Sequence, residues 1–222
     1  MSEHGAPIRF QLPNGLKVIL KEQHSSPVVA LQAWVGVGSA DEPEEVAGIA
    51  HVFEHMLFKG TARRGVGAIA REVESAGGDI NAWTSFDQTV YHLVLASRFA
   101  DAGLDIITDA LRNSSFDPTE LARELRVVLE EVKQGEDSPS RVVTQALFSS
   151  AFAKHNYRRP VIGYTRTVER FTRKTLVEFF RAWYVPNNIT IVMVGDFDAA
   201  QAKARIAAGW RGARSRELPS RN

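Results

Sequence analysis

The sequence contains no cysteine among its 222 residues. This absence excludes disulfide bonds and thiolate ligands, so any metal must be bound through nitrogen or oxygen atoms. No stretch of about eighteen consecutive apolar residues occurs, and a membrane-spanning helix is therefore not expected. Residues 1–10 lack the basic and apolar segments of a signal peptide and the arginine-rich pattern of a transit peptide, which predicts a cytoplasmic location.

The chain also lacks an excess of one charge, because it contains 27 lysine and arginine residues and 26 aspartate and glutamate residues. Such a balance provides no strong electrostatic field, so we expect no nucleic-acid partner and no recruitment to anionic lipid. Hydrophobic residues make up 44% of the chain, which is enough to build a genuine core. We predict a single domain over residues 1–210, followed by a polar tail, 211–222, with the pattern of a linker or a frayed end.

Apolar periodicity, turn signals and capping residues predict both strands and helices. The predicted strands cover 8–12, 16–22, 28–37, 79–84, 89–96 and 189–194. The predicted helices cover 44–59, 66–76, 99–112, 117–134, 138–153, 172–184 and 198–210. Strands interleaved with helix pairs indicate an α+β fold, in which helices pack on one face of a mostly antiparallel sheet.

A group of polar side chains occupies one face of the predicted helix 44–59. His51 and His55 are four residues apart, which places them about 40° from each other around the helix axis. Glu54 lies about 60° to the other side of His51, while apolar residues occupy the opposite face. A solvated helix face that bears two histidines by chance has the same pattern. A catalytic zinc site commonly has three protein ligands and one position for water, so this motif requires a third ligand elsewhere.

The predicted helix 117–134 offers two candidates for that ligand. Glu124 and Glu131 are seven residues apart and lie about 20° from each other, along one edge of the apolar stripe of the helix. Glu130 points away from the stripe and is expected to face solvent. An isolated glutamate pair at this spacing is usually an ordinary surface feature. Beside the histidine motif, however, both Glu124 and Glu131 become candidates for a buried polar site.

Several sequence blocks resemble one known family. The segment 51–61, HVFEHMLFKGT, resembles the active-site helix of the pitrilysin, insulin-degrading enzyme and mitochondrial processing peptidase family, in which the usual zinc-protease motif is inverted. The similarity continues in PNGLKVIL at 13–20, GGDINAWTSFDQTVYH at 77–92, PVIGY at 160–164 and YVPNNITIVMVGD at 184–196. Because these blocks occur in order along nearly the whole chain, the resemblance is far more specific than one motif.

The resemblance implies a processing-peptidase-like metallohydrolase fold and a zinc-dependent endopeptidase. By this resemblance one Zn²⁺ is bound by His51, His55 and Glu131, and Glu54 is the general base. Glu124 corresponds to the glutamate that orients the site and is carried over as a catalytic residue. The substrate is expected to be a peptide or protein.

The same resemblance implies residues that contact the substrate. Asn81 and Ala82 match the strand that binds a substrate backbone as an added strand. Phe58 matches an aromatic residue that lines a side-chain pocket in the processing peptidases, although simple packing explains an aromatic residue there equally well.

Two basic pairs, at 63–64 and 158–159, are interpreted as solvated loop charges. His24, His92 and His155 lack partners at ligand spacing and are interpreted as surface or packing residues.

Only the first of two homologous halves of the family has a counterpart in this chain. We therefore expect full activity to need a second half, a partner subunit or a homodimer. A different class of function, a non-catalytic structural subunit of the same fold, remains an alternative, although such subunits typically lack part of the metal motif. A lyase of the autoinducer-synthesis type shares a related motif, but it needs a cysteine that is missing here.

Overall fold

Six strands form a single sheet in the computed structural model, which describes residues 5–221. The strands are β1 (Ile8–Gln11), β2 (Lys17–Glu22), β3 (Val28–Val35), β4 (Asp79–Thr84), β5 (Thr89–Ala96) and β6 (Ile189–Gly195). Their order across the sheet is β1-β2-β6-β3-β5-β4, and every neighbouring pair is antiparallel except β2 with β6. Strand β4 therefore lies at one edge of the sheet.

Eight α-helices complete the described part of the chain, together with short 3-10 turns. They are α1 (Ile49–Leu57), α2 (Ala68–Ser75), α3 (Ala100–Asn113), α4 (Pro118–Glu136), α5 (Pro139–Ala151), α6 (Thr165–Val168), α7 (Arg173–Trp183) and α8 (Ala199–Gly209). None of the helices between residues 5 and 221 combines the length and apolar composition that crossing a bilayer requires. The predicted α+β class with a mostly antiparallel sheet is confirmed.

The core lies between the helices and one face of the sheet. Strand β3 shows this arrangement clearly, because its residues alternate between buried and more exposed positions. Helix α1 contributes its apolar face, and Phe53 at the centre of that face is fully buried. The Phe53 ring contacts Phe116, Phe179, Phe180 and Tyr184, with ring centroids 4.3–5.8 Å away. Burial of this face leaves the opposite face of α1 available for polar chemistry.

The predicted helix 44–59 differs from the observed structure at its beginning. Residues Glu44–Val46 form a 3-10 turn, and α1 begins only at Ile49, after Gly48 with a φ of 95°. The buried carboxylate of Glu42 accepts hydrogen bonds from the backbone N–H groups of Gly48 and Ala50, at 2.7 and 2.8 Å. This carboxylate satisfies backbone donors at the start of α1, and it therefore fixes where the helix begins.

Two glycines bring the loop that contains PVIGY against the start of α1. Gly48 and Gly163 both have positive φ values, 95° and 80°. A Cβ atom on Gly163 would lie 2.3 Å from the carbonyl oxygen of Ala47, and one on Gly48 would lie 2.5 Å from that of Ile162. Only glycine allows the two backbones to approach this closely. The loop therefore holds the N-terminal end of the helix that bears the histidines.

The tail beyond α8 lies against the domain. Residues 211–221 contain no helix or strand. The side chain of Asn187 exchanges two hydrogen bonds with the backbone of Arg216, at 2.8 and 3.1 Å. The guanidinium group of Arg221 pairs with the carboxylate of Asp41 at 3.2 Å. These contacts attach the described part of the tail to the domain.

The interpretation of the two basic pairs as solvated loop charges is wrong for the second member of each pair. The side chain of Arg64 is 10% exposed and its guanidinium group pairs with Glu72, Asp105 and Asp109. Arg159 is 3% exposed and donates a hydrogen bond to the backbone carbonyl of Glu42. Both arginines therefore satisfy buried acceptors, which a reading of loop sequence alone does not reveal.

We expect Arg64→Ala to lower the free energy of unfolding by about 3 kcal/mol, because the buried carboxylate of Asp109 loses its ion-pair partner. Arg63→Ala is the matched control, since the Arg63 side chain is 58% exposed and pairs at the surface with Asp105. That control should change the free energy by less than about 1 kcal/mol. Urea denaturation of the two variants tests this, and equal effects would contradict the buried role of Arg64.

Candidate metal centre and active site

Helix α1 presents three polar side chains on the face opposite Phe53. The side chains of His51 and His55 are each 17% exposed, and their ring centroids lie 4.9 Å apart. Glu54 lies between them in sequence and is half-buried. Helix α4 packs against α1 and strand β4 lies on another side of it. The polar face of α1 is therefore enclosed by neighbouring elements.

Helix α4 places one carboxylate opposite both imidazoles. The Oε2 atom of Glu131 is 3.7 Å from Nε2 of His51 and 3.8 Å from Nε2 of His55. One ligand atom from each of these three residues lies within 4.8 Å of the other two. A tetrahedral zinc site with bonds of about 2.0–2.1 Å places its ligand atoms about 3.4 Å apart. The donor set fits such an ion after a small inward movement of the side chains.

Glu124, on the same helix, contacts the imidazole of His55 and pairs with Lys59. Its Oε2 atom is 3.2 Å from Nδ1 of His55, and its Oε1 atom is 2.6 Å from Nζ of Lys59. A carboxylate at Nδ1 favours the tautomer in which that nitrogen bears the proton. The lone pair on Nε2 then faces Glu131. The ammonium group of Lys59 compensates the charge of the Glu124 carboxylate, which is largely buried.

His51 is held in the neutral form that a metal ligand requires. Burial, followed by the neighbouring His55 and Arg141 charges, lowers the pKa of His51 from its ordinary 6.5 to about 4. Its Nδ1 atom is buried and has no hydrogen-bond partner among residues 5–221. A neutral imidazole offers a lone pair, whereas a protonated one does not. The site is therefore prepared for a cation near neutral pH.

The lowered pKa of His51 predicts how stability of the metal-free chain depends on pH. In the unfolded chain His51 takes up a proton below pH 6.5, whereas in the folded chain it does so only near pH 4. Neutral His51 therefore contributes to the free energy of unfolding in full above pH 6.5, and this contribution is lost as the pH falls towards 4. The expected loss between pH 7 and pH 5 is about 2 kcal/mol. Chelator-treated His51→Gln should show that much less pH dependence in urea denaturation; an unchanged dependence would contradict this.

Glu54 is held by a residue from the sheet. The hydroxyl group of Thr84, the last residue of β4, donates a hydrogen bond to Oε2 of Glu54 at 2.5 Å. Burial raises the pKa of Glu54, while the Thr84 hydroxyl and the His55 charge oppose that effect. A carboxylate with a raised pKa is a stronger base than one in open solvent. Glu54 is outside the group of potential ligand atoms.

The residues predicted to contact substrate occupy different environments. Asn81 and Ala82 lie in β4, which pairs only with β5 among the described strands. The Oδ1 atom of Asn81 accepts the backbone N–H of Ala82 at 2.8 Å. Phe58 packs edge-on against the buried ring of Tyr91, with centroids 5.4 Å apart. The structure thus places Asn81 and Ala82 on an open sheet edge and Phe58 against the core.

A cavity of about 840 Å³ adjoins the imidazole of His51. His51 and Glu131 form part of its wall, and Phe148 and Ile162 contribute apolar surface from α5 and from the loop after Pro160. Arg141 adds a positive charge. Its volume is within the range of ligand-binding clefts. The cavity offers space for side chains next to the candidate metal centre.

Sequence reasoning missed three residues of this site. Lys59 and Thr84 lie inside the blocks that resemble the family, yet no sequence pattern links them to Glu124 and Glu54. Arg141 lies near the start of α5, and no sequence pattern indicates that it belongs to the site. Only the three-dimensional contacts reveal these residues.

Helix α1 of this α+β domain bears the motif HxxEH, and α4 brings Glu131 beside its histidines. This combination is typical of the class of inverted-motif metallopeptidase folds. The family model described as Insulinase (Peptidase family M16) matches residues 17–165. A second model, Peptidase M16 inactive domain, matches residues 170–208. The chain belongs to peptidase family M16, which confirms the family that the sequence blocks had indicated.

Relatives with curated names support this membership. An uncharacterized zinc protease of Bacillus subtilis is 33% identical over 188 residues, which are 85% of this chain and 46% of that protein. The probable mitochondrial-processing peptidase subunit beta of Arabidopsis thaliana is 35% identical over 184 residues, which are 83% of this chain and 35% of that protein. The chain therefore spans about half the length, or less, of these relatives.

Solved structures show the same relationship. A protease from Helicobacter pylori superposes with a TM-score of 0.93 at 26% identity, over 98% of this chain and 53% of that one. A Peptidase M16 inactive domain from Pseudomonas fluorescens superposes with a TM-score of 0.87 at 22% identity, over 98% of this chain and 54% of that one. Because both a protease and an inactive domain share the fold, the fold alone does not determine catalysis. The residues of the site must carry that argument.

Proposed function

We propose that this chain is the zinc-binding catalytic domain of a metalloendopeptidase. The observation that carries the proposal is the group formed by His51, His55 and Glu131, with Glu54 on the same face of α1. Relatives named zinc proteases support the choice of metal. His51, His55 and Glu131 would bind one Zn²⁺ per chain, and Glu124 would keep His55 in the tautomer that binds metal.

Zinc bound there would supply Lewis acidity, which polarises a peptide carbonyl and makes water easier to deprotonate near neutral pH. The carboxylate of Glu54 takes the proton from the attacking water. It then passes that proton to the leaving amine, so one side chain acts first as general base and then as general acid. The raised pKa of Glu54 suits both steps. Because Glu54 is not among the ligands, it remains free for this role.

The peptide substrate would bind along the edge of the sheet. The free edge of β4 can pair with an extended backbone, with Asn81 and Ala82 among the contacts. Side chains of the substrate would enter the cavity beside His51 and Glu131. Because the chain spans about half of its relatives, we propose that a second homologous half, a partner subunit or another copy completes the substrate site.

A non-catalytic partner subunit is the second candidate. The match of residues 170–208 to the Peptidase M16 inactive domain favours it. The presence of all three potential ligands together with Glu54 favours the catalytic reading, because a subunit without chemistry has no need for a complete donor set. The two candidates differ in turnover, and both allow the same fold.

The test combines metal analysis with a peptide assay. Inductively coupled plasma mass spectrometry of the purified chain should find one zinc per chain. Hydrolysis of a quenched fluorescent peptide library should be slow, be abolished by a chelator and return on addition of zinc, and a homologous second half added in trans should accelerate it. Absence of bound zinc, or hydrolysis that survives chelation, would overturn the proposal. Zinc binding without any turnover, even with the second half, would favour the non-catalytic subunit.

A further inference from the structure

Thr84, at the end of strand β4, places its hydroxyl group against Glu54, the proposed general base. Within β4, Ala82 and Thr84 are less exposed than Asn81 and Trp83, so Ala82 and Thr84 face the helices. The backbone of Thr84 is fixed by pairing with Thr89 in β5. Its side chain therefore reaches α1 from a rigid element rather than from a loop.

The Thr84 hydroxyl has two acceptors within reach on α1. Oε2 of Glu54 is 2.5 Å away, and the backbone oxygen of Ala50 is 3.4 Å away. A hydroxyl group has one proton to donate, and Oε2 of Glu54 is the nearer of the two acceptors. The proton therefore goes to Glu54. Among residues 5–221, the Glu54 carboxylate has no other side-chain hydrogen bond.

The Thr84 hydroxyl, together with the backbone N–H of the same residue, orients the Glu54 carboxylate. A glutamate side chain has three rotatable bonds and samples several rotamers when nothing holds it. Fixing Oε2 against Thr84 leaves Oε1 as the oxygen available for the proton of water. We propose that Thr84 is a positioning residue, which holds Glu54 in the orientation that proton transfer needs. The inference rests on the proposed function of Glu54 as general base.

The test compares Thr84→Val, which removes the hydroxyl with little change in shape, with Thr84→Ser, which restores it. In the zinc-loaded chain, with the second half added where it accelerates turnover, Thr84→Val should lower kcat by about 100-fold. KM and zinc affinity should not change, and Thr84→Ser should recover most of the lost kcat. Thr108→Val is the matched control, because Thr108 lies in α3, faces Gly209 of α8 and has no part in the site.

A second readout needs no turnover. Side-chain NMR order parameters of Glu54, measured in the metal-free and zinc-loaded chain, should fall in Thr84→Val and stay high in Thr84→Ser. Unchanged order, or an unchanged kcat, in a folded Thr84→Val variant would overturn the inference. If Glu54→Gln abolishes turnover while Thr84→Val is fully active, only the role of Thr84 is lost. If Glu54→Gln itself stays active, the proposed function fails instead.

Discussion

Replacing Glu131 with alanine is expected to lower the zinc affinity of the chain by more than about 100-fold. Loss of an outer partner of a ligand typically weakens metal binding by about 10-fold to 100-fold, and loss of a ligand itself costs more. The Glu131 carboxylate is the only acidic group that faces Nε2 of both His51 and His55 among the described residues. Without it, the two imidazoles alone remain as potential ligands. Zinc titration against a chromophoric chelator measures the difference.

Glu130→Ala provides the matched control for that experiment. Glu130 is the preceding residue of the same helix, but its side chain is 64% exposed and pairs with Lys133 at the surface. It faces solvent, as the helical geometry of the sequence predicted. The control should bind zinc with the affinity of the wild-type chain. Equal loss of affinity in both variants would indicate damage to α4 rather than loss of a ligand, and equal retention would remove Glu131 from the metal site.

The helices that bear the site were predictable because a helix fixes angles between residues. A spacing of four residues places His51 and His55 on one face of a helix, whatever else the chain does. The same rule separated Glu131 from Glu130, and the structure agrees with it. The capping signal at Asp117 located the start of α4, where its carboxylate accepts the N–H groups of Thr119 and Glu120. Local geometry of this kind can be predicted from short sequence segments.

The contacts between distant segments were not predictable in the same way. Strands β2 and β6 pair in parallel although about 170 residues separate them, and no local pattern specifies a partner at that distance. The pairing of Arg64 with Asp109 and the cap that Glu42 provides for α1 depend equally on tertiary packing. A charged residue next to a turn is usually exposed to solvent. Here packing overrides that expectation.

In the site, too, local helical geometry was predictable and contacts between distant segments were not. Helical spacing indicated His51 and His55 and left Glu124 and Glu131 as candidates, and the resemblance assigned metal binding to His51, His55 and Glu131. Neither showed that Thr84 would reach Glu54, because that hydrogen bond joins an edge strand to a helix 30 residues earlier in the chain. The distance between α1 and α4 also required the folded chain. Residue types can thus be assigned from sequence, whereas the groups that orient them emerge only from packing.

Replacing Glu54 with glutamine is expected to abolish most hydrolysis while zinc binding is kept. Glutamine has the size of glutamate and still offers an oxygen to the Thr84 hydroxyl, but it cannot take a proton from water. Loss of a general base typically lowers turnover by about 100-fold to 10,000-fold. Peptide hydrolysis at saturating zinc, with the second half added where it accelerates the chain, measures this loss. Glu74→Gln, an exposed change in α2, should leave both properties unaltered.

The two glutamate variants together separate the metal from the base. Glu131→Ala should lose zinc and hydrolysis at the same time, because the donor set is broken. Glu54→Gln should lose hydrolysis alone, since its carboxylate lies outside that set and is held instead by Thr84. If Glu54→Gln bound zinc poorly, Glu54 would have to be a ligand, and the assignment of the proton-transfer role would move elsewhere. If it hydrolysed peptides at the wild-type rate, no proton transfer in the reaction could depend on residue 54.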